Sequence, residues 1–342
     1  MPAEFHASQD FTRDLCDQVA SLEPHNPFHT FAYAAAMKDL GTQPWLLYTV
    51  EQGRIVSGCL GILKSGRLNR ALEIPSVPDL ASGDAFWMAL ERFCHQARIG
   101  HLDVESFGSS AAEIPSLRGE IARRARTEYV LNLENPNLLS DVSTNHRRNI
   151  QKAQKVGVII DRSNSPRECE LHARLQDASM ERRMNRGERV SVDAKIRTSA
   201  VLLEHHAGEL FRATLEGQVY SSILILRASQ GAYYHSAGTS RQGMAIGASH
   251  FLISRVAEIL RTEGIKRFNL GGADACNPGL ERFKTGYGAR ALHLEAAQFS
   301  LGNPLQRGIG AALSFLRRVA HSQVIDDGES PSSVKAKPRR HD

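Results

Sequence analysis

Residues Ala232–Leu270, AYYHSAGTSRQGMAIGASHFLISRVAEILRTEGIKRFNL, read as a strand, a glycine-bearing turn, a helix and a second strand. Ala232–Ala237 has the small and aromatic side chains of a strand, and Gly243 and Gly247 open the helix. Leu252, Val256, Ile259 and Leu260 recur at helical spacing and define one apolar face. Gly264 supplies the stop, and Lys266–Leu270 returns to strand language. Upstream, Glu209–Glu216 and Val219–Arg227 flank Gly217 as a hairpin.

The same order occurs earlier in the chain. Residues 8–22 (Phe11, Leu15, Val19) and Thr30–Leu40 read as helices. Trp45–Val50 and Ile55–Leu63 form a hairpin about Gln52-Gly53. Asp84–Ala97 is a helix with Phe86, Leu90, Phe93 and Ala97 on one face, and after Gly100 the run His101–Phe107 alternates as a strand. Hairpin, helix, glycine and strand in both halves indicate a degenerate duplication of one α/β unit. The fold class is α/β, an α+β arrangement on a mixed sheet. Helices are expected between the halves at Thr144–Val156, Arg167–Met184 and Asp193–His206, with another over Pro304–Val319. Beyond Asp326 almost nothing is apolar, and a disordered tail is expected.

Composition suits a water-soluble globular chain: 342 residues, 42% hydrophobic, 23% charged, formal net charge +5. No run of about 18 apolar residues occurs, and residues 1–30 lack a signal pattern, so a cytoplasmic location without a transmembrane segment is expected. Five cysteines stand far apart with no C-x-x-C pair, so no disulfide framework or zinc knuckle is expected. His205-His206, adjacent at a helix end, cannot both face one metal, and no metal site is expected.

Three stretches carry chemistry. Ser236–Ser249 leads from a strand end into a helix start, where backbone N–H groups favour a phosphate or a developing oxyanion. The bland alternative is a turn that needs its glycines. Phe268–Gly288, FNLGGADACNPGLERFKTGYG, ends a strand in paired glycines and continues through Asp274, Asn277, Arg282 and Lys284 to Tyr287. Polar residues just beyond a strand's carboxyl end are where open α/β sheets bind ligands; alternatively Asp274 only caps a helix. The third stretch is basic. Arg147, Arg148, Lys152 and Lys155 occur with no acid between Thr144 and Val156, and Arg148, Lys152 and Lys155 share a face. Such a face attracts an anion, or is simply solvated. Met180–Arg189 adds four arginines. His235 and Tyr234 lie on the strand beside the glycine turn, and Cys276 has no base fixed near it.

The segments STNHRRNIQKAQKVGV (Ser143–Val158) and RFNLGGADACNPGLERFKTGYGAR (Arg267–Arg290) resemble the FemAB-like branch of the GNAT superfamily, over about residues 140–300. The resemblance implies two tandem GNAT-like domains, here 1–138 and 139–322, followed by a basic tail at 323–342. It implies an N-acyltransferase or aminoacyltransferase that joins an aminoacyl or acyl group to an amine, with no tightly bound cofactor. Acyl-CoA-using relatives carry Arg or Gln three residues before a first glycine and Gly or Ala two after it. About Gly247 this chain has Met244 and Ser249, and about Gly243 it has Ser240 and Ala245. Aminoacyl-tRNA is therefore the expected donor, acyl-CoA the alternative, and a non-catalytic anion- or nucleic-acid-binding protein the second alternative. Charged tRNA and an amine-bearing small molecule or cell-envelope precursor are the expected partners. By the same logic Asp274 orients or deprotonates the amine, and the backbone of Ala237, Gly238 and Thr239 faces the carbonyl. His235, Asn269, Asn277, Arg282, Lys284, Tyr287, Arg148 and Lys152 are the expected substrate contacts.

Overall fold

The computed structural model describes residues 3–66, 70–79, 84–108, 113–137, 140–163, 165–185, 196–273 and 278–301. The first half runs β1 (Glu4–Ser8), α1 (Arg13–Leu22), α2 (Phe31–Asp39), β2 (Gln43–Glu51), β3 (Arg54–Ser65), β4 (Arg70–Ile74), α3 (Asp84–Gln96), β5 (Ile99–Glu105) and β6 (Glu120–Asn132). A connecting helix, α4 (Thr144–Lys155), precedes β7 (Ile159–Ser163), α5 (Cys169–Met184), α6 (Ile196–Glu204), β8 (Gly208–Leu215), β9 (Gln218–Arg227) and β10 (Gly231–Thr239). The chain continues through α7 (Arg241–Ile246), α8 (Ala248–Thr262), β11 (Arg267–Gly272), α9 (Pro278–Thr285) and β12 (Arg290–Ser300). Strand, two helices, hairpin, strand, helix and two strands occur in this order in both halves, the second half splitting the helix into α7 and α8 and adding α9 between its last two strands. The helix expected at Pro304–Val319 and the tail at 323–342 lie outside the described residues.

All twelve strands join one mixed sheet in the order β1-β2-β3-β4-β5-β12-β6-β11-β10-β9-β8-β7. The order is symmetric about its centre, where the last strand of each unit is exchanged. β6 of the first half pairs with β11 of the second, β12 pairs with β5 of the first, and β6 and β12 pair with each other. In both units the strand–helix–strand segment gives a parallel pair, β4–β5 and β10–β11.

Helices cover both faces. On one face α4 and α8 bury Ile150, Ala153, Leu252, Val256 and Leu260 against Phe211, Ile223 and Phe268, while α3 seals Leu72, Leu102 and Phe299. On the other face α1, α2 and α6 cover Leu46, Leu60, Leu210 and Leu224. Caps follow the sequence: Thr30, Ser143 and Ser240 accept from the backbone N–H of Tyr33, His146 and Gly243. The helix expected to open at Gly243 is divided into α7 and α8 at Gly247, whose φ of 78° is left-handed. Strands β1, β4, β6 and β7 are additional to those read from the sequence. Residues 122–126 of β6, Ala-Arg-Arg-Ala-Arg, are largely exposed and carry no apolar alternation. Among the described residues no helix is long and apolar enough to cross a membrane.

Two histidines, one buried and one half-buried, are held in the neutral form. His172 of α5 is 1% exposed, and His250 of α8 stacks edge-on to His146 and Phe283. Burial, with a neighbouring histidine in each case, holds both down at about 4. The unfolded chain, with ordinary values near 6.5, therefore takes up these protons first as pH falls. Stability is full above pH ~6.5, declines between ~6.5 and ~4, and levels off below. For His172 the loss is on the order of 3 kcal/mol. Urea midpoints across that range check it, and His172→Gln flattens the dependence.

The exchanged strand makes a second expectation. Phe299 belongs to the second half by sequence yet is fully buried in the first-half core beside Phe86 and Trp87. Phe299→Ala should cost about 3–5 kcal/mol. The loss should appear in tryptophan fluorescence, because the two tryptophans, Trp45 and Trp87, both lie in the first half. An unmoved fluorescence midpoint would contradict it.

Candidate active site

β10 and β11 pair in parallel only from Gly231–Tyr233 against Arg267–Asn269 and then part. Each strand is irregular at this level. β10 bulges at His235, between the pairs Tyr234–Ile225 and Ser236–Leu224, and β11 loses register against β6 between Asn269 and Gly272. A bulge bends a strand and ends its pairing, so two of them side by side leave a gap at the carboxyl ends of a parallel pair. The counterpart pair in the first half stays closed through Ile74–Val104.

Gly271, at φ 73°, lies in the gap. A Cβ there would stand 3.5 Å from the Tyr234 carbonyl, 3.6 Å from Tyr233 Oη and 3.7 Å from Lys284 Nζ. Lys284, in the last turn of α9, is buried and donates to the Gly272 carbonyl, with Nζ 6.0 Å from the Tyr129 ring centre. Glu128 of β6, 0% exposed, completes the group. Its carboxylate accepts from Asn269 Nδ2 at 2.7 Å and from Arg126 at 2.8 Å. Asn269 Oδ1 in turn accepts the Gly271 N–H at 2.7 Å. Burial raises the Glu128 carboxyl above the usual carboxylate value, against the pull of Asn269, Arg126 and Lys284. A carboxyl tuned upward and a buried ammonium thus lie together where the two strands part.

The β10 wall is held by α5. Thr239 donates its N–H to Ser179 Oγ at 3.0 Å, and its carbonyl accepts from Arg182. Gly238 admits the α5 backbone: a Cβ there would fall 2.2 Å from Leu175 C. Alternation along the strand places the Ala237 N–H on the same edge as that of Thr239, the edge toward the gap. Of the three expected carbonyl-facing residues, Thr239 is therefore occupied by Ser179, Gly238 serves packing, and Ala237 faces the opening.

The gap brings Asn269 and Lys284 together, with His235 at its bulge. Arg282 is exposed on α9 and donates to Pro278 of its own helix. Tyr287 is buried among His146, Phe283 and His250, in the same cluster as Tyr129. Arg148 and Lys152 are exposed on α4, while Arg147 folds back onto the carbonyls of Val142 and Ser140. Asp274 and Asn277 lie outside the described residues, as does Cys276. The glycine turn answers to packing. A Cβ on Gly243 would lie 2.4 Å from the Tyr220 carbonyl oxygen, and one on Gly247 would lie 2.3 Å from that of Asn149. α4 thereby covers the start of α8. Among the described residues no three His, Cys, Asp or Glu side chains converge as metal ligands.

Glu128, Arg126 and Tyr233 were not foreseen from the sequence. Glu128 and Asn269 are 141 residues apart, and no local pattern near Glu128 marks it. Only the exchange of β6 into the second unit puts it at the gap.

Residues 140–285 match the family model described as an acetyltransferase (GNAT) domain. A search of the curated proteins finds no match. Among solved structures the chain is similar to FemX, with TM-score 0.68 and 13% identity over 86% of this chain and 97% of that one. It is similar to L-PGS from Bacillus licheniformis, with TM-score 0.54 and 12% identity over 88% and 96%. It is also similar to a tandem GNAT protein from the clavulanic acid biosynthesis pathway, with TM-score 0.51 and 12% identity over 88% and 99%. At such identities the likeness is one of fold. Residues 140–285 thus fit the acetyltransferase (GNAT) domain model, and the chain as a whole, with its duplicated strand order, shares the fold of FemX.

Proposed function

We propose that this chain is an N-acyltransferase that moves an aminoacyl group from aminoacyl-tRNA to an amine at the gap between β10 and β11. The observation that carries the reading is the buried Glu128–Asn269–Lys284 group at the gap, in a chain with a GNAT domain. The acceptor is the amine of a small molecule or of a cell-envelope precursor. Its nitrogen attacks the ester carbonyl, forming the C–N bond and breaking the C–O bond to the donor ribose. Glu128, whose carboxyl burial raises above the usual carboxylate value, takes the amine proton. The Ala237 N–H on the β10 edge meets the developing oxyanion, and the departing ribose oxygen, its charge offset by the Lys284 ammonium, takes up the proton that Glu128 received. Asp274 is kept as the residue that orients the amine.

Two features favour a tRNA-borne donor over acyl-CoA. The N-terminus of α8, where a pyrophosphate would bind, is covered by the Asn149 backbone of α4. Beside it, Arg148, Lys152 and Lys155 are exposed and form no ion pair among the described residues, a face open to a polyanion. The acyl-CoA reading draws on the family description as an acetyltransferase.

Transfer from charged tRNA should fall steeply between 50 and 200 mM salt. CoA and acyl-CoAs should leave the melting temperature unchanged. Stabilisation by CoA with turnover free of tRNA would establish the alternative donor, and binding without turnover to any acceptor would establish a non-catalytic protein. Glu128→Gln should lower kcat by about 10²–10⁴ with the circular dichroism spectrum retained. Replacing Arg148 and Lys152 together by alanine should raise the KM for tRNA and leave kcat within about twofold.

A further inference from the structure

We infer that His172 is a positioning residue for the proposed transfer: it bridges Ser222 of β9 and Ser236 of β10, and so sets the edge that β10 turns to the gap. The inference deepens the functional reading above and rests on it for its catalytic meaning.

The bridge is short on both sides, with His172 Nδ1 2.7 Å from Ser222 Oγ and Nε2 2.9 Å from Ser236 Oγ. The two serines do not face each other. Ser236 pairs with Leu224, and Ser222 pairs with Gly238. The imidazole thus spans the β9–β10 ladder diagonally, immediately after the His235 bulge. Side chains alternate along a strand, so a one-residue slip of β10 would send Ser236 to the other face and break the bridge. A bulge interrupts the ladder that normally fixes register, and here the imidazole restores the constraint. α5 continues the grip. The Leu175–Gln176 backbone fills the space above Gly238, and Ser179 takes the Thr239 N–H. His172, Leu175 and Ser179 recur at helical spacing along one face of α5, and their partners Ser236, Gly238 and Thr239 flank Ala237.

The first half supplies an internal comparison. Counted from its hairpin, Gly58 of β3 holds the place of Ser222: Glu51 pairs with Arg54 as Leu215 pairs with Gln218, four residues earlier in each case. There the facing helix α1 presents Val19, whose methyls lie 3.1 Å from where a Cβ on Gly58 would be. The contact is apolar, and the associated parallel pair remains closed. The unit that opens a gap has a hydroxyl–imidazole–hydroxyl bridge instead. An imidazole donates at one nitrogen and accepts at the other, and each hydroxyl does either, so the bridge is satisfied without charge. Burial, which holds His172 at about 4, keeps it so at neutral pH.

Amide hydrogen exchange over Tyr234–Thr239 tests the inference in the full chain. His172→Leu, which fills the space without bridging, and Ser236→Ala, which removes one hydroxyl, should each accelerate exchange there by about tenfold. Exchange in β8 and α8 should be unchanged, and His172→Gln, able to donate and accept, should stay within about threefold of the parent. In the transfer assay His172→Leu should lower kcat about tenfold with the donor KM within twofold. Unchanged exchange in both His172→Leu and Ser236→Ala overturns the inference. So does acceleration spread evenly over α5, β8 and β9, which denotes packing alone, and so does an unmoved kcat where exchange has risen. A parent protein without transfer activity overturns the functional reading and the catalytic meaning with it, while the exchange data still decide whether the bridge holds β10.

Discussion

The antiparallel pairing of β6 with β12 is the constraint on which the rest of this molecule depends. Each strand closes a unit to which it does not belong by sequence order. A sheet edge left after β5 or β11 would expose unpaired backbone groups and an apolar face; exchange fills both at once. The halves are therefore one sheet with two overlapping cores, and Phe299 buries its ring among first-half residues. The exchange also has a chemical consequence, because β6 carries Glu128 to the one place where a parallel pair has opened.

That opening sets the second dependence. A parallel pair that parts at its carboxyl end leaves backbone groups without a strand partner, which is costly when buried. Here the cost is offset locally. Asn269 accepts the Gly271 N–H, Lys284 donates to the Gly272 carbonyl, and Ser179 accepts the Thr239 N–H. The groups that satisfy the broken ladder are thus those that make the gap polar. Glu128 enters the network through Asn269, and Arg126 ties it to Glu105 across the seam between the units. Charge in the gap and pairing at the seam are mechanically one network.

Much of the architecture was legible because its signals are local. The stripe Leu252–Val256–Leu260, the hairpin turn at Gly217 and the Gly264 stop each depend on neighbours within a few residues. The placement of Asn269 at a strand end and of Lys284 in the helix that follows a paired glycine was legible for the same reason. Gly243 and Gly247 were legible as required glycines, but their reason was not. The turn suggested an anion cradle, whereas both glycines admit backbone from Tyr220 and Asn149. β6 was missed because much of its length is solvent-facing and rich in arginine, and arginine alternation carries no hydrophobic period.

By itself the sequence determined the repeated α/β unit, the mixed sheet, the acid-free α4 and the polar stretch after β11. Periodicity, caps and turn residues act over short spans and need no knowledge of the other half. Only the tertiary structure decided which strands lie at the centre, that one parallel pair opens while its duplicate stays closed, and that Glu128 of β6 stands beside the opening. Those outcomes turn on pairing between segments more than a hundred residues apart, where the partner of a strand is chosen by the register and edges of the whole sheet. His172 belongs to the same class. As a residue it is one histidine in a helix, and it acquires a role only when two strands place their serines on either side of it.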